Sequence, residues 1–207
     1  MTIPSAIVFD LGKVLVDFDY GIAAQRIAAR GRMTVQEIAK YMSHSSLFTE
    51  YELGALTTAQ FCAEVCRITG FRATAAEFGE CFADIFFPIE PMIQLQAMLR
   101  QRGLPAYVFS NTNELAVEHI GRSFPFYANF DGYILSYQHG SMKPDARLYE
   151  VVERQSARVG AEILYLDDRP ENVAAGAARD WQVILHQTPE QTRAEIRKLG
   201  LLDPESS

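Results

Sequence analysis

Two short apolar runs closed by carboxylates constrain this chain most: Ala6-Ile7-Val8-Phe9 ends in Asp10, and Ile163-Leu164-Tyr165-Leu166 ends in Asp167-Asp168. Short β-rich runs that are apolar throughout read as strands buried on both faces, as in a parallel sheet. Acids at their ends do not belong to a core. In open α/β sheets the carboxyl ends of the strands form the edge at which ligands bind. The pattern therefore predicts one shared edge built to hold a cation or to do carboxylate chemistry.

Strands are predicted at about 5–10, 104–109, 132–136, 162–167 and 181–186, with helical patterns between them. The stretches 114–122, 146–156 and 171–179 each suit one crossover helix, and Pro144 and Pro170 fall at or near helix starts. The first connection differs, because more than ninety residues separate Asp10 from Leu104, where about a dozen suffice. Residues 91–102 can supply the crossover helix, which leaves a surplus helical module punctuated by Gly31, Gly54 and Gly70. The expected fold is α/β, a doubly wound parallel sheet with an inserted helical cap. Residues 1–16 and 89–207 are assigned to the catalytic core and residues 17–88 to the cap. The module's aromatic residues, Phe48, Tyr51, Phe61, Phe78 and Phe82 among them, are assigned to its own core and none to binding. Residues 203–207 are expected to fray.

With 207 residues and 48% hydrophobic content the chain can bury a sizeable core. A formal charge of -7 argues against nucleic acid or an anionic membrane as partner and favours small molecules. The three cysteines, Cys62, Cys66 and Cys81, are too few and too odd in number for a disulfide scaffold, so a reducing, cytoplasmic location is expected. Cys62 and Cys66 stand one helical turn apart, but with no third ligand nearby they read as small buried hydrophobes. The amino-terminal stretch has no basic region and no apolar run of signal or membrane length. No heptad pattern assigns an oligomeric state.

Four segments fall at strand ends: Asp10-Leu11-Gly12, Ser110-Asn111-Thr112-Asn113, Lys143-Pro144 and Asp167-Asp168. Alone, each has a bland explanation as a cap, a turn or a solvated charge. Together they divide a phosphoryl transfer among them. A carboxylate, Asp10, can attack phosphorus and form an aspartyl-phosphate, splitting hydrolysis into two easier displacements. A hard cation such as Mg²⁺, held by Asp10, Asp168 and a backbone carbonyl, offsets the charge of the ester. Lys143 adds a point charge, and the Ser110 hydroxyl with adjacent N–H groups binds the transferring oxygens.

With these residues in this order, the chain resembles the haloacid dehalogenase superfamily of hydrolases over essentially its whole length. The resemblance implies that Asp10, in Val8-Phe9-Asp10-Leu11-Gly12-Lys13-Val14, is the nucleophile and a metal ligand. It implies that Ser110 and Asn111 bind the substrate, that Lys143 balances charge and contacts phosphate, and that Gly12 (through its carbonyl) and Asp168 complete the Mg²⁺ site. Asp167 would act through water or behind the ligands, and Asn172 stands where the family often has an acid. The insertion resembles the cap of the phosphoglycolate phosphatase and dehalogenase branch. The runs Phe9-Asp10-Leu11-Gly12, Val16-Asp17-Phe18-Asp19 and Tyr165-Leu166-Asp167-Asp168-Arg169-Pro170-Glu171-Asn172 are most similar to the α-D-glucose-1-phosphate phosphatase group and to the phosphatase domain of soluble epoxide hydrolases.

Gly12 departs from that pattern. The superfamily's phosphatases usually carry there a second aspartate that serves as general acid and then general base. Such assistance is worth about 10²–10⁴ in rate, so its loss slows an alkyl phosphate more than an ester with a good leaving group. Asp17, Asp19 or a water are the candidates to replace it. Lys13 replaces a common glycine and is assigned to solvent, Arg169 is assigned to neutralising Asp167 or Asp168, and the four histidines fit no ligand spacing.

The expected activity is Mg²⁺-dependent hydrolysis of a small phosphomonoester, with sugar phosphates among the candidates. The alternatives are a 2-haloacid dehalogenase and a weakly catalytic protein that binds a phosphate ligand. Gly12 mildly favours the dehalogenase. Without a cation, however, adjacent Asp167 and Asp168 would repel each other and a carboxylate substrate.

Overall fold

Side chains alternate across a strand, and the central run uses both faces. The computed structural model describes residues 2–203, apart from the side chain of Ala75. In β1 (Ala6–Phe9), Ile7 and Phe9 join one core layer while Ala6 and Val8 join the other. This explains why the run is apolar throughout rather than alternating.

After β1 the chain makes β2 (Val16–Phe18), five helices, α1 (Tyr20–Ala28), α2 (Val35–His44), α3 (Leu47–Glu52), α4 (Thr58–Thr69) and α5 (Ala75–Ala83), and then β3 (Phe86–Pro88). Next come α6 (Glu90–Gln101), β4 (Ala106–Ser110), α7 (Glu114–Ser123), β5 (Gly132–Leu135), α8 (Ser136–His139) and α9 (Ala146–Ser156). The chain closes with β6 (Ile163–Asp167), α10 (Pro170–Ala177), β7 (Gln182–Leu185) and α11 (Pro189–Lys198). The five-stranded sheet has the order β5-β4-β1-β6-β7 and is parallel throughout. One face packs on Met92, Leu95 and Leu99 of α6, Ile120 of α7 and Ile196 of α11. The other packs on Leu148, Tyr149 and Val152 of α9 and on Trp181. The chain thus forms the expected doubly wound α/β sheet, with strands within a residue or two of their predicted places.

Register sets the site. Phe9 lies opposite both Val108 and Leu166, so Asp10, Ser110 and Asp167 emerge at one edge of the sheet.

The sequence did not signal β2 and β3, which pair antiparallel with Val16 opposite Pro88. The chain therefore leaves and re-enters the sheet layer side by side, and α1–α5 lie between. Capping boxes at Thr34/Glu37, Thr57/Gln60 and Thr74/Glu77 start α2, α4 and α5. Gly70, with φ 70°, ends α4 in the left-handed conformation that favours glycine. These helices share a core centred on Phe61, which stacks on Tyr51 at 4.3 Å and meets Phe82 edge-on at 5.1 Å. Cys62 is buried in that core as a small hydrophobe, and all three cysteines are free thiols.

Asp203, expected to fray, pairs with Arg102; residues 204–207 lie outside the described residues. Among the described residues, no helix is long and apolar enough to cross a membrane.

Candidate active site

Asp10 follows β1 directly, its N–H donating to Leu166 O at 2.9 Å. Its Oδ1 accepts from Leu11 N at 2.7 Å and lies 2.9 Å from Lys143 Nζ. Past Asp10 the chain folds back at once, with Leu15 N and Val16 N both donating to Leu11 O at 2.9 Å. Lys13 takes φ 59° in this turn, which gives a physical reason for the glycine common there in the superfamily. The Lys13 side chain pairs with Asp17 and lies 4.5 Å above the Phe18 ring.

Lys143, in the loop before α9, is almost wholly buried. Its Nζ is surrounded by Asp10 Oδ1 at 2.9 Å, Asp167 Oδ2 at 2.6 Å and Phe109 O at 2.8 Å. Three acceptors match its three protons, so the ammonium meets Asp10 as a fixed charge partner. Asn111, expected to bind substrate, lines the cleft beside Ser110 and joins its side chain to the Lys143 backbone. Its Nδ2 donates to Lys143 O at 3.0 Å and its Oδ1 accepts from Lys143 N at 2.7 Å. Ser110 is buried at the end of β4, with its residue lining the same cleft as Asp10.

Asp167, fully buried, accepts from Lys143, from the Tyr165 hydroxyl, from Arg169 N at 2.8 Å and from Asn172 Nδ2 at 3.0 Å. Its oxygens are thus committed to protein donors, and Asn172 serves it from the first turn of α10. Asp168 is less buried and lines the cleft. The Arg169 guanidinium, expected to neutralise the acidic pair, forms its ion pair with Glu171 at 2.6 Å.

Electrostatics follow from this packing. Burial holds the Asp10 carboxyl well above the ordinary carboxylate range, and Asp167 pushes the same way against the opposing pull of Lys143. Burial would also raise Asp167, but Lys143 and the hydrogen bonds outweigh it and keep that group ionised. Burial would lower Lys143; its two carboxylate partners overcome this and hold it charged. Asp168 is raised by burial and by Asp167.

Asp10, Asp167 and Asp168 bring ligand oxygens within 4.8 Å of one another. Three carboxylates beside one ammonium leave a net negative cluster made of hard oxygen donors, the chemistry that suits Mg²⁺. Among the described residues no histidine joins such a group.

The cleft, about 440 Å³, is also lined by Phe18, Tyr20 and Glu52, none of which the sequence pointed to. Tyr20 and Glu52 wall a second, mostly apolar cavity of about 350 Å³ among Ala24, Val35, Met42 and Phe48. Asp17 and Asp19, expected as proton-transfer groups, are occupied elsewhere. Asp17 is exposed, pairs with Lys13 and accepts from Phe18 N; Asp19 caps α1 by accepting from Gly21 N at 2.7 Å. Neither lines the cleft.

The family model of haloacid dehalogenase-like hydrolases matches residues 4–179. The chain belongs to this family. This hydrolase is 25% identical over 197 residues to the D-ribitol-5-phosphate phosphatase of Bacteroides thetaiotaomicron, spanning 92% of the chain and 95% of that protein. Its fold matches a HAD-like family hydrolase from Porphyromonas gingivalis with a TM-score of 0.81, at 24% identity over 96% of this chain and 98% of that one. It also matches a haloacid dehalogenase family enzyme from Bacteroides thetaiotaomicron in complex with magnesium and inorganic phosphate, with a TM-score of 0.76. That likeness is at 19% identity and covers 89% of this chain and 94% of the other. The hydrolase thus shares its family with a named phosphatase of similar length.

Proposed function

We propose that this hydrolase is a Mg²⁺-dependent phosphomonoesterase that acts on a small phosphorylated metabolite through an aspartyl-phosphate on Asp10. A sugar or polyol phosphate is the preferred substrate class, in line with the name of its Bacteroides relative. The observation that carries this reading is the meeting of Asp10, Asp168, Ser110 and Lys143 in one cleft, with Lys143 fixed against Asp10.

Asp10 Oδ1 is engaged by Leu11 N and Lys143, which leaves Oδ2 as the oxygen that attacks phosphorus. Lys143 orients the nucleophile and opposes the burial that favours its neutral form. Asn111 and Asp167 act one step back, holding Lys143 by its backbone and by its ammonium. Asn172 in turn holds Asp167. Ser110 supplies a hydroxyl to the transferring phosphoryl oxygens. Mg²⁺ would be held by the Asp10 and Asp168 carboxylates and the Gly12 carbonyl. When bound, it neutralises charge on the phosphoryl group and lowers the repulsion between the ester and Asp10.

Dehalogenation fits the site less well, because an acidic cluster without a cation would repel a haloacid carboxylate. The deciding experiment measures phosphate release from polyol, sugar and aryl phosphates, with Mg²⁺ and with chelator, beside Asp10→Asn. Metal-dependent release that disappears in the variant supports the phosphatase. Chloride release from 2-chloropropionate without phosphate release from any ester would replace it with the dehalogenase.

A further inference from the structure

We propose that Glu52, carried by the helical module, is the general acid and base of this site and fills the proton-transfer role that Gly12 leaves vacant. The inference rests on the phosphatase reading above.

At position 12 a Cβ built on Gly12 stands 3.0 Å from Phe18 Cε1, so any side chain there needs the Phe18 ring to give way. The nearby aspartates, Asp17 and Asp19, are held outside the cleft by Lys13 and by the start of α1. Glu52 is different. It ends α3 and lines the cleft that holds Asp10 and Lys143. Among the described residues no hydrogen bond or ion pair occupies its carboxyl.

The backbone of Glu52 is clamped to the sheet layer. The fully buried Ser136 hydroxyl donates to Glu52 O at 2.6 Å and accepts from Thr112 N, two residues past Ser110, at 2.9 Å. Two residues after Glu52, Gly54 takes φ 69° and lies so close to Tyr137 that an added Cβ would stand 2.1 Å from its carbonyl oxygen. Only glycine permits that approach. One end of α3 is thereby fixed against the segment that follows Ser110, and Glu52 lines the cleft that holds the nucleophile.

The groups facing Glu52 are few. Arg169 approaches from the loop before α10 and Tyr20 from α1; Lys13, Asp10, Lys143 and Asp168 line the same cleft. Burial pushes the Glu52 carboxyl up to about 7, with Arg169 opposing. A carboxyl that titrates near neutrality can both give and take a proton, as the role requires. Glu52 and Tyr20 are also the two residues common to the cleft and the apolar cavity. The organic part of an ester that reaches from Asp10 toward that cavity passes this carboxyl.

In the first step an Asp10 oxygen bonds to phosphorus and the bond from phosphorus to the ester oxygen breaks. The Glu52 carboxyl gives its proton to that departing oxygen, releasing the alcohol and leaving Glu52 as carboxylate. In the second step Glu52 takes a proton from water as the water oxygen bonds to phosphorus. The phosphorus–Asp10 bond breaks, inorganic phosphate leaves, and Glu52 is again protonated.

The test compares wild type and Glu52→Gln with Mg²⁺ on an alkyl phosphate and on p-nitrophenyl phosphate, with acid quenching to measure phosphoenzyme. For the alkyl ester, kcat/KM should fall by about 10²–10⁴. For the aryl ester, whose leaving group needs no proton, kcat/KM should fall far less. Phosphoenzyme should accumulate in the variant because the attacking water has lost its base. The decline of kcat/KM for the alkyl ester as pH rises past about 7 should vanish with Glu52. Unchanged rates, or equal losses on both esters with no phosphoenzyme and an unchanged pH profile, would overturn the proposal. A wild-type protein that releases no phosphate from either ester would overturn the phosphatase reading itself, an outcome distinct from these.

Discussion

Lys143 Nζ stands 2.9 Å from Asp10 Oδ1, and the lysine side chain is only 1% exposed. A buried ammonium so placed holds two carboxylates, since Asp167 lies 2.6 Å from it on the other side. Removing one partner of a buried pair leaves an uncompensated charge and costs about 3–5 kcal/mol. Lys143→Ala should therefore lose at least about 10² in kcat and a large part of its stability in urea unfolding. The stability loss should shrink in acid, where Asp10 and Asp167 take up protons.

Asp17 and Asp19 stand close in sequence to the nucleophile but do structural work. Asp17→Asn removes an exposed ion pair and should change stability by less than about 1 kcal/mol. Asp19→Ala removes the cap of α1 and should cost about 1 kcal/mol. Steady-state kinetics should show kcat within about twofold of wild type for each, because neither lines the cleft. A large drop in kcat for either would return the proton-transfer role to it.

Much of the fold was legible in the sequence because buried parallel strands have a strong local signature. Ala6–Phe9 and Ile163–Leu166 needed only their apolar character and their terminal acids to be placed. The β2–β3 ribbon left no such trace: Val16–Phe18 and Phe86–Pro88 are three residues each, too short for alternation to register, and their pairing spans the whole helical module. The same limit hid Glu52. Nothing near it in sequence resembles a strand end, and its place in the cleft depends on Gly54 meeting Tyr137 and on Ser136 meeting Glu52 O. Asn111 was found, but its bond to the Lys143 backbone required the three-dimensional closeness of residues 32 apart. Phe18 and Tyr20 carry no signal of their own in the sequence, and only the packed structure brings them to the cleft.

Tyr51 joins the helical module to the sheet layer. Its hydroxyl meets Thr58 Oγ1 at 2.7 Å and accepts from Leu115 N at 3.2 Å, while its ring stacks on Phe61. Tyr51→Phe keeps the stack but leaves the buried Leu115 N–H without this acceptor, a cost of about 1–3 kcal/mol. Thermal unfolding should register that loss. KM should rise more than kcat falls, since the variant loosens the module over the site without touching Asp10.

Stability should depend on Glu52 with a definite sign. Its folded-state value, about 7, lies above the unfolded value of 4.5, so the folded form holds the proton more tightly. The stabilisation is complete below the unfolded value and is lost as pH rises through the folded one. Relative to wild type, Glu52→Gln should be unchanged near pH 4.5 and more stable above about 7, by on the order of 1–3 kcal/mol. Urea unfolding of both proteins across that window checks it. A constant difference at every pH would show that Glu52 titrates normally.

The most direct measurement is mass spectrometry of the protein quenched in acid during turnover of a phosphate ester with Mg²⁺. A phosphoryl group on the peptide that contains Asp10, absent from Asp10→Asn and removed by hydroxylamine as an acyl phosphate, is the predicted result. Steady phosphate release with no phosphorylated enzyme in either wild type or Glu52→Gln, or a phosphoryl group on another residue, would contradict nucleophilic attack by Asp10.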